Sequence, residues 1–433
     1  MNTRRSYLTA AVILAIVSSA CSSGGGNKTA SPASASTDTS GAPKLAITTQ
    51  ASGLKVGLVV SSSGPGADVR DLASGAYIAS YRLNGAKSGT DRVELVVKDD
   101  NGTPEGATAA INELKDAGVV GVVYGSTGEH VLAGAATAAQ AGLPVVFPYA
   151  DDPRVTAQGA TSFLAAPTIA QVASELVSHI KKTNAATVAL VRQAGAYGDA
   201  GKAALAAAGL AIAMDKPFIP GDTLAETAKA VVAGKADAVI VWAEAGPAVA
   251  VADALSNAGA TAATLFGNRA AVPAFGRLIA GALTPSVSDG VLSAGGWAGA
   301  DTPTAAVDAF FLARDRAVSD GATTADLSVA DFRSHDALLS LVAAAVEAST
   351  PAAVTDSLRT LAPDAVKGTA GVPLDFRNPL AVSDDDIALL SYSTADDGSG
   401  RYLPKTSGGH WLAVAGTFEL PDALAGLDNP YGG

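Results

Sequence analysis

Two hydrophobic signatures alternate along the chain. Short, near-continuous aliphatic runs predict strands at Lys55–Val60, Val93–Lys98, Val119–Tyr124 and Leu143–Phe147. Alanine-rich stretches between them predict helices at Asp68–Leu83, Pro104–Ala117 and Glu129–Ala141. Aliphatic runs without polar alternation belong to strands covered by helices on both faces. The βαβα order then predicts a parallel, doubly wound sheet. The pattern starts again with a helix at Ile169–Lys182, a strand at Thr187–Arg192 and a helix at Asp199–Ala208. Strands at Leu210–Ala213 and Asp237–Trp242 flank a helix at Thr223–Ala233, followed by a helix at Gly246–Ala258 and a strand at Thr264–Phe266. Gly290–Gly295 reads as a returning strand, Pro303–Val318 and Val329–Ala348 as helices, and Gly368 to about Leu412 as a β-rich tail. The fold class expected is α/β, with two doubly wound parallel-sheet lobes joined by several crossings. The last ~20 residues are punctuated by Pro and Gly and are expected to wrap the surface.

The first 20 residues break this rhythm. Arg4 and Arg5 precede an apolar run, Tyr7–Val17, and then Ser18-Ser19-Ala20-Cys21. That order predicts an export signal, too short for a comfortable transmembrane span, that ends in a lipid-attachment cysteine. Cys21 is the only cysteine of the chain, so nothing else uses thiol chemistry. A cleaved secretory signal with an incidental cysteine is the plainer alternative. Thr3-Arg4-Arg5-Ser6-Tyr7-Leu8 also looks like a twin-arginine export signal. Ser22–Pro43 is Ser, Thr, Gly and Ala with little apolar bulk, which predicts a flexible tether above a membrane.

Composition narrows the function. About 380 residues follow the tether, enough for two ordinary domains. Apolar residues make up 48 % and charged residues 16 %, as in an ordered globular body. Without further thiols there is no intramolecular disulfide and no Cys-based metal site. The formal charge is −12, and about −14 once Arg4 and Arg5 leave with the signal. An acidic body without a Lys/Arg cluster argues against nucleic acid and against adhesion to anionic headgroups.

Reactive motifs are missing. Gly64-Pro65-Gly66 has Val69 where a dinucleotide fingerprint needs its third glycine, and Gly85-Ala86-Lys87-Ser88 has the wrong spacing for a phosphate loop. His130, His179, His335 and His410 form no metal-binding pair. Gly125-Ser126-Thr127-Gly128 does not fit a nucleophile elbow. Asp99-Asp100 and Asp384–Asp386 read as helix-start or loop carboxylates. No cofactor and no enzymatic activity are expected.

What remains is a binding geometry. Ligands of open α/β sheets sit beyond the carboxyl ends of the strands. Those ends carry Ser61-Ser62-Ser63, Gly125-Ser126-Thr127-Gly128 and Pro148-Tyr149-Ala150-Asp151 in the first unit, and Tyr197-Gly198 and Glu244 in the second. Hydroxyls and helix N-terminal amides suit a carboxylate; Asp151 or Glu244 suits an ammonium. Each residue alone is equally well an ordinary cap or turn.

At these residues the chain resembles the type I periplasmic substrate-binding proteins of the branched-chain amino acid (Leu/Ile/Val-binding) group, extracytoplasmic receptors of ABC importers. The resemblance runs from about Lys55 to about Arg377. It is carried by Lys55–Val60 with Ser63-Gly64-Pro65, Ala76–Asn84, Val93–Asp100 with Pro104, Gly118–Val123 with Ser126-Thr127-Gly128, and Gly142–Val146 with Pro148. Ala196-Tyr197-Gly198, Pro220–Thr223 and His335-Asp336-Ala337 continue it. It implies a type I periplasmic-binding-protein fold with a multi-strand hinge. Residues 1–20 are then the lipoprotein signal and 21–53 the lipid-anchored linker. Residues 54–166 and 298–364 form one lobe, and 167–297 and 365–433 the other.

The resemblance also implies roles. Ser126 or Thr127 falls where the family holds the ligand carboxylate, with Ser63 nearby at the first strand end. Ala150 and Asp151 fall on the Ala and Thr of its "SPAAT" loop, and Asp151 departs from that neutral hydroxyl toward a cation-seeking group. Tyr149 departs from a small residue and narrows the pocket or stacks on the ligand. Glu244 meets the ligand ammonium, Tyr197 closes over the ligand, and Trp297 lies near the hinge. The implied function is a receptor on the outer face of the cell membrane, lipid-anchored through Cys21. It would bind a small polar solute, an amino acid or related amine or amide, by lobe closure and present the closed form to an ABC permease. The alternative is a ligand-free envelope lipoprotein that uses the same fold for protein or polymer interaction.

Overall fold

Thr103 shows how local chemistry sets the elements. Its side chain accepts a hydrogen bond from the Gly106 amide, Pro104 takes the first helical position, and Glu105 sits in the positive first turn. Thr168 and Gln171 form a reciprocal capping box at the next long helix, and Thr350 with Pro351 repeats the first arrangement. Gly142 ends a helix at φ 66°, the left-handed conformation that glycine adopts without steric cost.

The computed structural model describes residues 53–64, 73–84, 93–270, 291–294, 303–323, 329–346, 348, 350–366, 374–384, 387–393, 405–406 and 409–416. The strands are β1 (Leu54–Val60), β2 (Val93–Asp99), β3 (Val122–Tyr124), β4 (Val145–Phe147), β5 (Ser162–Leu164), β6 (Val188–Gln193), β7 (Met214–Phe218), β8 (Ala238–Trp242), β9 (Ala263–Phe266), β10 (Val291–Ala294), β11 (Ile387–Ser393), β12 (Lys405–Thr406) and β13 (Gly409–Gly416). The helices are α1 (Ser74–Asn84), α2 (Pro104–Asp116), α3 (Val131–Ala141), α4 (Arg154–Ala157), α5 (Ile169–Lys182), α6 (Ala196–Ala207), α7 (Ala225–Ala233), α8 (Ala245–Asn257), α9 (Pro303–Ser319), α10 (Val329–Ala345) and α11 (Pro351–Thr360).

Two sheets organise them. The first has the order β2-β1-β3-β4-β5 and is parallel throughout. The second has the order β12-β13-β11-β10-β9-β8-β6-β7. Its β7-β6-β8-β9-β10 half is parallel, whereas β10, β11, β13 and β12 pair antiparallel. The two-lobed α/β fold is therefore as expected, but the second sheet is mixed, because the tail returns as adjacent strands rather than through helices. The chain crosses from sheet to sheet after β5. It pairs again with β5 at Leu164, where the Leu164 amide donates to Pro379 O at 2.7 Å, before entering β11.

The strand expected at Leu210–Ala213 lies instead at Met214–Phe218. That segment reads Met-Asp-Lys-Pro-Phe and is the sheet's edge, where polar side chains and a proline are tolerated. Residues 210–213 only lead into it. β5, three residues long, carries too little pattern to be seen in sequence, and α11, although it opens with the same Thr-Pro signal as α2, is not among the expected helices. The expected start of α1 at Asp68 and the returning Gly295 lie outside the described residues, as do Cys21, the tether, Trp297 and the C-terminal ~20 residues.

One buried apolar cluster links the sheets. It holds Leu58 and Val123 of the first, Leu190 and Ile240 of the second, Leu176 of α5 and Leu338 of α10. α10 lies against α1 so closely that a Cβ at Gly75 would stand 1.7 Å from Asp331 O. This contact brings the head of α10 to the strand ends.

Candidate functional site

The β4 end carries Pro148-Tyr149-Ala150-Asp151, and α10 fixes it. Arg333 Nε donates to Pro148 O at 3.0 Å, and the Tyr149 hydroxyl donates to Asp331 Oδ1 at 3.4 Å. Desolvation pushes the Arg333 pKa down to about 10. Burial, with Asp331 beside it, raises the Tyr149 phenol well above its usual range, so it stays a neutral donor. Tyr149, Ala150 and Asp151 are all buried, Asp151 completely.

Across from this loop stand the ends of three strands of the second sheet. Tyr197 opens α6 after β6. Glu244 follows β8, its amide held by the Gln193 side chain at 3.2 Å. Asn268 and Arg269 form a short 3-10 turn after β9. Gly267, between β9 and that turn, leaves room for the Tyr197 hydroxyl, which would lie 3.0 Å from a Cβ there.

Arg269 joins the two sheets. Its Nε and Nη2 donate to Asp151 Oδ2 and Oδ1 at 3.0 and 2.7 Å, and its Nη1 donates to Glu244 Oε1 at 2.6 Å. The guanidinium lies over the Tyr197 ring, 3.9 Å from its centroid. Asn268 Nδ2 donates to Asp151 Oδ2 at 3.1 Å, and the Tyr197 hydroxyl donates to Asn268 Oδ1 at 3.2 Å. The Arg269 side chain is 10 % exposed. Burial opposes its charge, but Asp151 and then Glu244 outweigh that and raise its pKa well above the usual guanidinium value. Burial and the Asp151 charge push the Tyr197 phenol up. Bidentate pairing, a second carboxylate and an aromatic face are the contacts that suit a guanidinium.

A second polar cluster sits at the ends of β1, β2 and β3. Ser61 Oγ donates to Asp100 Oδ1 at 2.6 Å and lies 2.9 Å from Ser126 Oγ; the Gly102 amide donates to Asp100 Oδ1 at 2.9 Å. His130 Nε2 lies 3.1 Å from Asp100 Oδ2. Burial alone would raise the Asp100 carboxyl, but His130, Ser61 and the Gly102 amide hold it below the usual range.

Of the residues read from sequence, the structure brings Asp151, Tyr197 and Glu244 together around Arg269, whereas Tyr149 and Ala150, on the same loop as Asp151, turn to Asp331 and to the core of the first sheet. Ser126 is buried in the neighbouring cluster, with Thr127 beside it and partly exposed. Ser63 is exposed and bonded to Asp99 and Asn101 at 2.8 and 2.7 Å, away from the junction. Asp100 serves as a buried acceptor, not a helix cap; Thr103 caps α2. Sequence reasoning missed Arg269, Asn268, Asp331 and Arg333. Asn268 and Arg269 follow a strand that was recognised, so the strand-end rule reaches them; Asp331 and Arg333 lie on a helix with no local signal. Among the described residues, no group of three or more His, Cys, Asp or Glu is placed to hold a metal ion.

Solved structures share this architecture. The branched-chain amino acid transporter substrate binding protein LivJ of Streptococcus pneumoniae, solved with isoleucine, has a TM-score of 0.65 at 19 % identity, over 83 % of this chain and 99 % of that one. An ABC transporter substrate-binding protein of Desulfitobacterium hafniense, complexed with Leu, has a TM-score of 0.61 at 19 % identity, over 83 % and 99 %. A periplasmic binding protein type 1 of Bordetella pertussis Tohama I has a TM-score of 0.66 at 17 % identity, over 83 % and 100 %. At these identities the likeness is one of fold. No protein of curated function matches the sequence. The sequence model of the periplasmic binding proteins, a family that binds solutes and performs no chemistry, matches residues 53–380, most of the chain. With both sheets present and their carboxyl ends facing one junction, the chain belongs to the periplasmic binding protein family.

Proposed function

We propose that this chain is the solute receptor of an ABC importer, held at the outer face of the cell membrane by lipid on Cys21. Residues 1–20 act as the signal and 21–53 as the tether. Residues 54–166 with 298–364 form one lobe, and 167–297 with 365–433 the other. The solute is a small polar molecule with a cationic group, an amino acid or a related amine or amide. It binds where Tyr149, Ala150 and Asp151 meet Tyr197 and Glu244, near Ser126 and Thr127.

The observation that supports this reading is the convergence of strand-end residues from both sheets on one buried, carboxylate-bearing junction. Ligands of open α/β sheets bind at that end. Arg269 engages only Oε1 of Glu244, so the second carboxylate oxygen is available to a solute. Two relatives in fold were solved with isoleucine and leucine, which supports trying amino acids first.

The test is thermal unfolding of the full chain against amino acids, amides, polyamines, sugars and nucleosides. A solute at 100 times its Kd stabilises by about 2.7 kcal/mol, a clear rise in Tm. A rise confined to one class identifies the solute. A flat response from folded, ligand-free protein overturns the receptor reading. It favours instead an envelope lipoprotein that recognises a protein or polymer, a reading supported by Arg269 already filling the junction.

A further inference from the structure

The junction is built for a cation and already contains one. Two carboxylates on different sheets, both at the ligand-binding ends of strands, converge on a single guanidinium. Tyr197 covers its face, and Asn268 takes part in holding Asp151. An ion pair that merely joined two lobes could lie anywhere along their contact. This one occupies the place where the fold receives its ligand.

We infer that Arg269 is an internal occupant of the solute site, a latch that holds the two lobes together before any solute arrives. This rests on the receptor reading above. Asp151 belongs to the first sheet, and Arg269, Glu244 and Tyr197 to the second, so the contact exists only while the strand ends face each other. Parting them strips Asp151, which is completely buried, of its counter-ion. The latched form is therefore favoured without solute. A solute whose cationic group enters the site displaces the guanidinium, and its apparent affinity is reduced in proportion to the latched fraction. Arg269 stands on a three-residue 3-10 turn, not a long helix, so it can withdraw without unravelling a regular element.

The experiment empties the site and refills it with a fragment of the missing side chain. In the full chain, Arg269→Ala is expected to lower Tm by about 5 °C. Methylguanidinium chloride should restore most of that loss along a saturating curve, whereas potassium chloride at equal concentration should not. Neither the parent protein nor Arg269→Ala combined with Asp151→Asn should respond. A folded Arg269→Ala protein without saturable restoration overturns the latch, as does a parent protein that responds equally. Should Arg269→Ala fail to fold, Asp151→Asn keeps the side chain's size and removes the charge that pairs with Arg269 across the sheets. The variant's radius of gyration by small-angle X-ray scattering should exceed that of the parent, and an identical radius overturns the proposal. The fragment experiment uses no natural solute. A flat solute panel therefore removes the receptor reading, and with it the solute site, while the fragment still reads the pairing of Arg269 across the sheets; a failed restoration removes the latch alone.

Discussion

Asp100 and Asp151 invite comparison. Both are fully buried carboxylates at the carboxyl ends of strands in the same sheet. Asp100 takes its partners from that sheet's own strand ends and loops: Ser61, the Gly102 amide and His130, with Tyr124 alongside. Asp151 takes a bidentate arginine and an amide from the opposite sheet. The first arrangement fixes a scaffold, because no motion between lobes alters it. The second makes the charge balance of a buried group depend on how the lobes stand. Two identical side chains with two strands between them in the order thus serve rigidity and switching.

Substitution by asparagine separates the two roles. Asp151→Asn leaves Arg269 buried with half its counter-charge, and breaking such a pair costs about 3–5 kcal/mol. Asp100→Asn keeps the size of the group and can keep its bonds to the Ser61 hydroxyl and the Gly102 amide while losing the charge that faces His130, at about 1–3 kcal/mol. Urea unfolding measures both, and small-angle scattering should show expansion for Asp151→Asn only. Equal costs with equal expansion would mean that the two carboxylates do the same work.

How far the sequence reveals this depends on the range of the interactions. The aliphatic runs that form β1, β3, β4, β6 and β8 are local patterns, and the strands lie where those runs are. β7 escapes because an edge strand need not be apolar. Asp151, Tyr197 and Glu244 can be placed at a common junction because strand order alone puts them there. That Asp151 and Glu244 share Arg269 cannot be read in the same way. Their separations of 118 and 25 residues carry no periodic signal, and an arginine in a turn looks like any surface cation until the two sheets face each other.

The head of α10 contributes a pH dependence that neither carboxylate shares. His335 is fully buried, with Nδ1 2.7 Å from Asp336 Oδ1 and Nε2 3.4 Å from Arg82 Nη1. Arg82 can only donate, so the ring is neutral, with its proton on Nδ1. Burial lowers its pKa from 6.5, against the pull of Asp336. A histidine with a depressed pKa gives the folded chain its full stability above pH 6.5, and that stability falls as the unfolded chain takes up protons below it. Stability is expected to fall between pH 7 and pH 5. Asp100, whose carboxyl is held below its ordinary 3.8, loses its contribution only in stronger acid. Unfolding curves at pH 7, 6 and 5 should slope for the parent and flatten for His335→Gln; an unchanged slope in that variant assigns the effect to another group.

The smallest effect sharpens what holds Arg269. Tyr197 offers its ring face at 3.9 Å and its hydroxyl to Asn268 at 3.2 Å. Tyr197→Phe keeps the ring, its tilted contact with Trp242 at 5.9 Å, and the attraction between ring and guanidinium. It removes one hydrogen bond between neutral partners, worth about 0.5–1.5 kcal/mol. Tyr197→Leu removes the aromatic face as well and forfeits about 0.5–2 kcal/mol more at a desolvated site. The order Tyr197→Phe milder than Tyr197→Leu, and both milder than Asp151→Asn, follows if charge pairing across the sheets dominates and the ring orients the guanidinium. If Tyr197→Phe instead matched Asp151→Asn, the hydroxyl–Asn268–Asp151 chain would be the true bridge. Arg269 would then be a counter-ion placed beside it, and the contrast between Asp100 and Asp151 would lie in their hydrogen bonds and not in their charges.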